Sequence, residues 1–591
     1  MTFFRLDNKW LIWPLFLFMM TYVVLRALFV EPLFDELATL YWYIQTGYLP
    51  GRGATMDANN HILNSLISHQ FFQLFGDHFL VYRLFALTTF PVYFFSSRKL
   101  LLKTKTPFSF LIFLALVSVH WIFDYFSFSR GYGPSLAFLM LSFCLIQNWL
   151  ETFKTRYFIG VIFFFMAALL CNLSLLVPQF ILMCYFLLTS ISYFRNFSTK
   201  QLIGFWTSTL VFLTFLVPVY IYINKLQKAG ALWWGSSDGL WEVTGKSLTR
   251  NVFFNDHETW KYLFLLLFLV LIVLFFLYWK KAGFKPFIRY VEFWIPGLFG
   301  LTLITSVLLA KVMHVNYPMD RVGMYLVPVF ILSFSLLVQK QRILRWSLLL
   351  LLWFPCSFLA KLNLNTSIFS PEDRIHRSFY REMLRKIPVD ATISADYVSQ
   401  ANYAYLSRRE KIPHLVTDYL LTDSLSRGDY HISWVEEITH PGYTCLLRDP
   451  VSGTRLYRRI STEKKQLLLD TVLSIRKSSN EVIPILDFDL SSFAGELIQT
   501  QIDGRVSVNP YCLDLNLRHE ILSRDKLLRR TDNTRFNWYF GRKTKYGFHY
   551  PNHPVLVLPN DQFLHICFYN DDHHEVNLTE IRVKIFRLTK S

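Results

Sequence analysis

The chain has 591 residues, 53% of them hydrophobic and 18% aromatic, with a formal net charge of +18. So apolar a composition excludes an ordinary soluble enzyme, and the length allows several domains. Residues 1–361 hold 29 Lys+Arg against 14 Asp+Glu and residues 362–591 hold 31 against 28, so the basic excess does not sit on a soluble face, as nucleic-acid binding would require.

A helix needs about 20 apolar residues to cross a bilayer core, and runs of that kind occur only in residues 1–361. Spans are predicted near 10–30, 78–97, 108–123, 131–150, 157–172, 174–194, 203–223, 260–279, 293–313, 321–338 and 345–361, eleven in all. Residues 61–75, "HILNSLISHQFFQLF", are apolar but interrupted by Asn64, His69 and Gln70. They are predicted to form an amphipathic helix on the membrane surface. Alternate loops are rich in Lys and Arg: Arg5 and Lys9, Arg98 to Lys105, Lys154 and Arg156, Arg195 and Lys200, Lys280 to Arg289, Lys340 to Arg345. The positive-inside rule places these in the cytoplasm. The other loops carry acids, among them Glu31, Asp35, Glu36, Asp57, Asp77, Asp124 and Asp320. The N-terminus is then cytoplasmic, and an odd number of spans puts residues 362–591 outside, on the face of Asp35. The first span shows no small-residue cleavage site and reads as a retained anchor. An integral membrane protein follows, with an extracytoplasmic C-terminal region. In a bacterium that means the inner membrane and the periplasm.

The C-terminal region divides into an α/β part, 362–479, and a β-sandwich-like part, 480–591. "SFYREMLRKIP" reads as a helix and "ATISADYVSQANYAYLSRR" as a strand followed by a helix. "YTCLLRDPVSGTRLYRR" reads as a hairpin. Beyond 480, short strands follow one another, ending in "IRVKIFRL" with Ile581, Val583, Ile585 and Leu588 on one side. Cys144, Cys171, Cys184 and Cys356 lie in apolar runs and read as core. Cys445, Cys512 and Cys567 show no CxxC or Cys/His spacing, so no zinc site is predicted, although one disulfide among them is open. "DDHHE", 571–575, reads as a solvated turn.

Acids, arginines and aromatics gather in the external loops. In "FDELATL" the adjacent Asp35 and Glu36 follow the first span. A carboxylate there is favoured by a helix dipole, and a close pair of acids also suits proton-transfer catalysis. Arg130 and Arg321 each stand where a span begins. Such an arginine snorkels to the headgroups, or holds a phosphate in its fork of donors. His61 reads as a base, a ligand or a polar cap, and His314 is open in the same way. Trp233 and Trp234 suit an interfacial aromatic belt or stacking on a sugar.

Four stretches, in order, resemble the GT-C superfamily of membrane glycosyltransferases, nearest to the protein O-mannosyltransferases and the lipid A aminoarabinose transferases. They are "FDELATL", then "NNHILNSL" with "FGDHFLVYRL", then "SRGYGPSLAF", then "YPMDRVGMYLVPVF". The resemblance covers residues 1 to about 361. Ile62 stands where the family often has proline after the histidine. The resemblance implies a polyprenyl-phosphate sugar as donor and a lipid, glycan or protein hydroxyl as acceptor. It makes Asp35 the general base, with Glu36 orienting Asp35 or the acceptor. Arg130 and Arg321 hold the leaving phosphate, Tyr132 positions it, and Asn60 and His61 bind substrate. Such a cationic clamp requires no metal or other cofactor, though a divalent ion is compatible with it. Rival classes are an oligosaccharide ligase using a polyprenyl-pyrophosphate glycan and a polar-lipid transporter or flippase. A transporter would place charges near mid-span.

Overall fold

A long apolar segment in lipid can satisfy its backbone polar groups only by closing them on itself as a helix. The computed structural model describes residues 6–51, 56–103, 107–194, 197–232, 234–283, 290–412, 414, 417–418, 428–433, 442–460, 463–509, 515–540, 545–571 and 573–590. Among them eight helices are long and apolar enough to cross a membrane. They are Lys9–Phe29, Phe79–Leu102, Tyr132–Thr152, Leu173–Ile191, Thr199–Lys228, Thr259–Lys281, Val291–Met313 and Asp320–Val338. The chain is therefore a polytopic helical membrane protein with a β-rich C-terminal region. Arg5, Lys105, Arg195, Trp233, Lys285, Arg289, Cys512 and Asp572 lie outside the described residues.

The other three predicted spans are helical but shorter. Thr155–Cys171 has 17 residues, and Leu344–Ala360 begins as a 3-10 helix and becomes α-helical only from Trp353. The segment 108–123 breaks into Ser109–Val117 and His120–Asp124. At the break the Ser118 hydroxyl donates to Leu114 O at 2.6 Å, and Val119 turns extended. A serine bonding back to the preceding turn competes with helix continuation. The helix Ile62–Phe75 is present and turns its polar side inward. Asn64, Ser65 and Ser68 are buried, while Leu66, Leu74 and Phe75 are exposed. Ser68 Oγ donates to Tyr82 O at 2.9 Å.

Two buried arginines serve helix ends. Arg83 donates to Ala27 O and Val30 O, both at 2.9 Å, closing the C-terminus of Lys9–Phe29. The last carbonyls of a helix lack intrahelical donors and favour a cation. Arg26 pairs with Asp124 at 2.8 Å and donates to Asn363 O at 2.7 Å.

The chain forms two compact units. One contains residues 1–30, 47–74 and 78–365; the other contains 31–46, 75–77 and 366–591. The loop bearing Asp35 and Glu36 thus folds with the C-terminal region. Glu31 pairs with Arg409 at 2.9 Å, and Asp77 pairs with Arg408 at 3.3 Å. Tyr41 stacks on Trp538 at 4.9 Å and donates to Ala401 O at 3.0 Å.

In that second unit, helices Arg377–Lys386 and Tyr397–Glu410 accompany a sheet of β1 (Ile393–Ala395), β2 (Thr417–Asp418), β3 (Tyr430–Ser433), β4 (Tyr443–Arg448) and β5 (Arg455–Arg459). Its order is β2-β1-β3-β5-β4. β4 and β5 are the expected hairpin, and Asp449 holds the turn by accepting from Val451 N at 3.0 Å and Ser452 Oγ at 2.7 Å. The remaining strands are β6 (Glu463–Ser478), β7 (Val482–Asp489), β8 (Leu497–Asn509), β9 (Leu515–Ser523), β10 (Leu528–Arg535), β11 (Lys545–Pro551), β12 (Val555–Leu556), β13 (Asp561–Asn570) and β14 (Glu575–Lys590). They make one sheet of order β10-β9-β13-β7 and another of order β11-β8-β14-β6, with β12 beside β8. Phe548 of the second sheet and Phe568 of the first both pack on Phe536, so the sheets face each other as a sandwich. Ile581, Val583, Ile585 and Leu588 are all buried. Strand β6 pairs with β14, so the sandwich includes residues just before position 480.

Candidate active site

Within the first unit, "DANNH" and "SRGYG" meet. Gly131 lets them approach, because a Cβ there would stand 2.0 Å from Cys171 O and 2.7 Å from His61 Cβ and Cγ. His61 is buried. Its Nδ1 lies 2.6 Å from Cys171 O, so Nδ1 carries the proton and donates it. Nε2 is then a lone-pair acceptor, buried and without a hydrogen-bond partner among the described residues. Tyr132 stands edge-on to the His61 ring, with centroids 4.5 Å apart.

Arg130 is buried beside them. Its guanidinium donates to Asn59 Oδ1 and lies 5.8 Å from the Tyr132 ring centroid. Asn60 is buried too, donating to Leu49 O and accepting from Ser65 Oγ at 2.9 Å. Burial holds the His61 imidazole well below its ordinary pKa, and the Arg130 and Arg321 charges add to that, against the Cys171 hydrogen bond. His61 is therefore neutral. Two arginines and a neutral imidazole suit an anion carrying hydroxyl groups nearby.

Arg321 lies on the 3-10 turn Asp320–Gly323, its guanidinium 4.9 Å from the Trp234 ring centroid. Its neighbour Asp320 has φ 48° and is fixed by Arg250 at 2.8 Å, Asn251 at 3.0 Å and Ser247 Oγ at 3.0 Å. The turn leads into helix Leu326–Val338, which lines one side of a half-open apolar cavity of about 570 Å³. Trp241, Phe253, Phe264, Phe299 and Phe330 line it, with Lys261 as its one charged lining residue among the described residues. That volume lies within the ~300–1,000 Å³ range of ligand pockets.

The structure thus brings Asn60, His61, Arg130 and Tyr132 together, with Arg321 within electrostatic reach of His61. Asp35 and Glu36 stand in the other unit, in the first turn of helix Phe34–Thr39. Glu36 is buried and Asp35 partly so; Phe34 packs against Tyr397 at 5.2 Å. His314 is an exposed left-handed helix cap and belongs to neither group. Sequence reading did not single out Asn59, Gly131 or the cavity. The doubled glycine of "RGYG" was the available signal for the close approach.

No protein-family model matches the chain, and no curated protein matches it. Solved structures give distant likenesses of fold. ArnT from Cupriavidus metallidurans in the apo state is 10% identical, with a TM-score of 0.35, covering 75% of this chain and 97% of its own. The same protein bound to undecaprenyl phosphate is 9% identical with a TM-score of 0.37 and the same coverage. The arabinosyltransferase EmbB from Mycobacterium smegmatis is 10% identical with a TM-score of 0.32. The match covers 97% of this chain and 64% of EmbB.

Proposed function

We propose that the protein is an inverting glycosyltransferase of the GT-C superfamily that moves a sugar from a polyprenyl-phosphate donor to an acceptor hydroxyl. The observation that carries this is the pairing, in one unit, of a cationic cluster around neutral His61 with a large apolar cavity. A lipid-linked phosphate has the same two parts, an anionic head and an apolar tail. The four sequence stretches of the GT-C pattern support the same reading.

In this mechanism Arg130 and Arg321 bind the donor phosphate and stabilise the charge that grows on it. The acceptor oxygen attacks the anomeric carbon as the bond from that carbon to the phosphate oxygen breaks. Attack and departure on opposite faces invert the configuration. The acceptor proton passes to Asp35, and Glu36 orients Asp35 or the acceptor. His61 Nε2 and Asn60 take hydrogen bonds from substrate hydroxyls, and Tyr132 walls the site. The clamp needs no metal, and a divalent ion is compatible with it. The site faces the extracytoplasmic side, the periplasm of a bacterial inner membrane, with the N-terminus in the cytoplasm.

The test is turnover of polyprenyl-phosphate sugars by the purified protein in lipid. Arg130→Ala and Arg321→Ala should each lose about 10²-fold or more, the usual cost of a transition-state donor. Absence of turnover with such donors, together with lipid flux across vesicles, would replace this reading by transport. Turnover only with pyrophosphate-linked glycans would replace it by an oligosaccharide ligase.

A further inference from the structure

Away from that chemistry, three adjacent strands of the sandwich assemble a mixed ligand set. On β13, His565 and Cys567 are two residues apart and so share a face. His565 stands opposite Glu520 of β9 on one side and opposite Asp487 of β7 on the other. The candidate donor atoms of Glu520, His565 and Cys567 all lie within 4.8 Å of one another. Leu564, Ile566 and Phe568 alternate with them and are buried toward the other sheet.

We infer that this outer sheet face holds a divalent cation of the zinc class, bound by Cys567 Sγ, His565 and Glu520. The donor set argues for that class. A thiolate with an imidazole and a carboxylate selects a borderline-soft ion over magnesium or calcium. Tetrahedral bonds of about 2.0–2.3 Å set donors roughly 3.5 Å apart, so adjustments of about 1 Å complete the shell. Asp487 is placed as an outer partner. Its carboxylate accepts the His565 Nδ1 proton, which leaves the Nε2 lone pair for the metal and orients the ring, as carboxylates do behind metal-bound histidines. A solvent molecule takes the fourth position.

Cys567 is buried and not in a disulfide. Binding breaks the S–H bond, sends the proton to solvent and gives the sulfur lone pair to the metal, with no change of oxidation state. Arg518 lies 3.6 Å from the Tyr569 ring centroid and 3.9 Å from Glu520, at the rim of the site. The ligands come from strands 45 positions apart, which is why linear spacing gave no hint of them.

Cobalt(II) is the probe, added to full-length protein in detergent after removal of any affinity tag. One equivalent should bind with a thiolate-to-cobalt charge-transfer absorption that zinc abolishes. Cys567→Ser should lose the absorption, and the double variant His573→Ala/His574→Ala in the nearby turn should keep it. No such absorption in the wild type, or its survival in Cys567→Ser, would overturn the proposal. Should Cys567→Ser fail to fold, Glu520→Gln on the partly exposed position decides. At least a tenfold loss of cobalt affinity is expected, and unchanged affinity would overturn the site.

Discussion

Replacing Gly131 by alanine puts a methyl group where the chain leaves no room. The new Cβ would meet Cys171 O at 2.0 Å, and ordinary contact begins at 3.4 Å, so the carbonyl or the "RGYG" turn must move by 3.4 − 2.0 = 1.4 Å. Gly131 has φ −72°, so backbone strain is not the issue and the whole effect is steric. The atom in the way is backbone, and it is also the acceptor for His61 Nδ1. Overpacking of this kind costs about 1–3 kcal/mol, and a weakened buried hydrogen bond adds to that. A displacement near 1 Å in a positioning residue can cost about 10²-fold in rate. Gly131→Ala should therefore lower turnover with a polyprenyl-phosphate sugar by about 10²-fold and reduce the thermal midpoint. Gly300, inside helix Val291–Met313, has nothing within 4 Å of its added Cβ. Gly300→Ala should keep full turnover and a midpoint at or above wild type, since alanine is the better helix former. Wild-type turnover and midpoint in Gly131→Ala would refute the steric reasoning and the close approach it rests on.

Arg409→Ala should destabilise the C-terminal unit by about 2 kcal/mol, since it leaves the partly buried Glu31 carboxylate unpaired. A double-mutant cycle with Glu31→Gln should recover most of that as coupling, and additive effects would refute the pairing. His519, buried in the sandwich, has its pKa lowered to about 4, mainly by burial and also by His553, against Asp532. Its folded value is depressed, so the unfolded chain takes up the proton first as pH falls. Stability is full above about 6.5 and drops toward pH 4, by about 3 kcal/mol. His519→Gln should flatten the urea-unfolding profile over that window, and an unchanged slope would refute the assignment. Leu303→Trp, which fills part of the apolar cavity, should raise KM about tenfold for long-chain donors, a loss of about 1.4 kcal/mol. It should leave short-chain donors unaffected; equal effects on both would place the tail elsewhere.

The sequence reading reached the helical elements wherever one apolar run sufficed, as in Lys9–Phe29 or Thr259–Ala282. It reached the hairpin at Asp449, whose turn chemistry is local, and it drew Asn60, His61, Arg130 and Tyr132 from motifs that the fold brings together. What it missed depends on partners far along the chain. The attachment of residues 31–46 to the C-terminal unit rests on Glu31 with Arg409, 378 positions apart. The inward polar face of Ile62–Phe75 depends on Tyr82 O and other acceptors that periodicity does not see. The break at Ser118 falls at a single small polar residue in an otherwise continuous apolar run.

If a base in "FDELATL" drives sugar transfer, Asp35→Asn must abolish it. The substitution keeps shape and removes the proton acceptor. With purified protein and polyprenyl-phosphate donors, turnover should fall by at least about 10²-fold, the scale of general-base catalysis, while donor binding stays at the wild-type level. Turnover equal to wild type would contradict it, leaving Asp35 as a solvated acid at a helix start and the base to be found elsewhere.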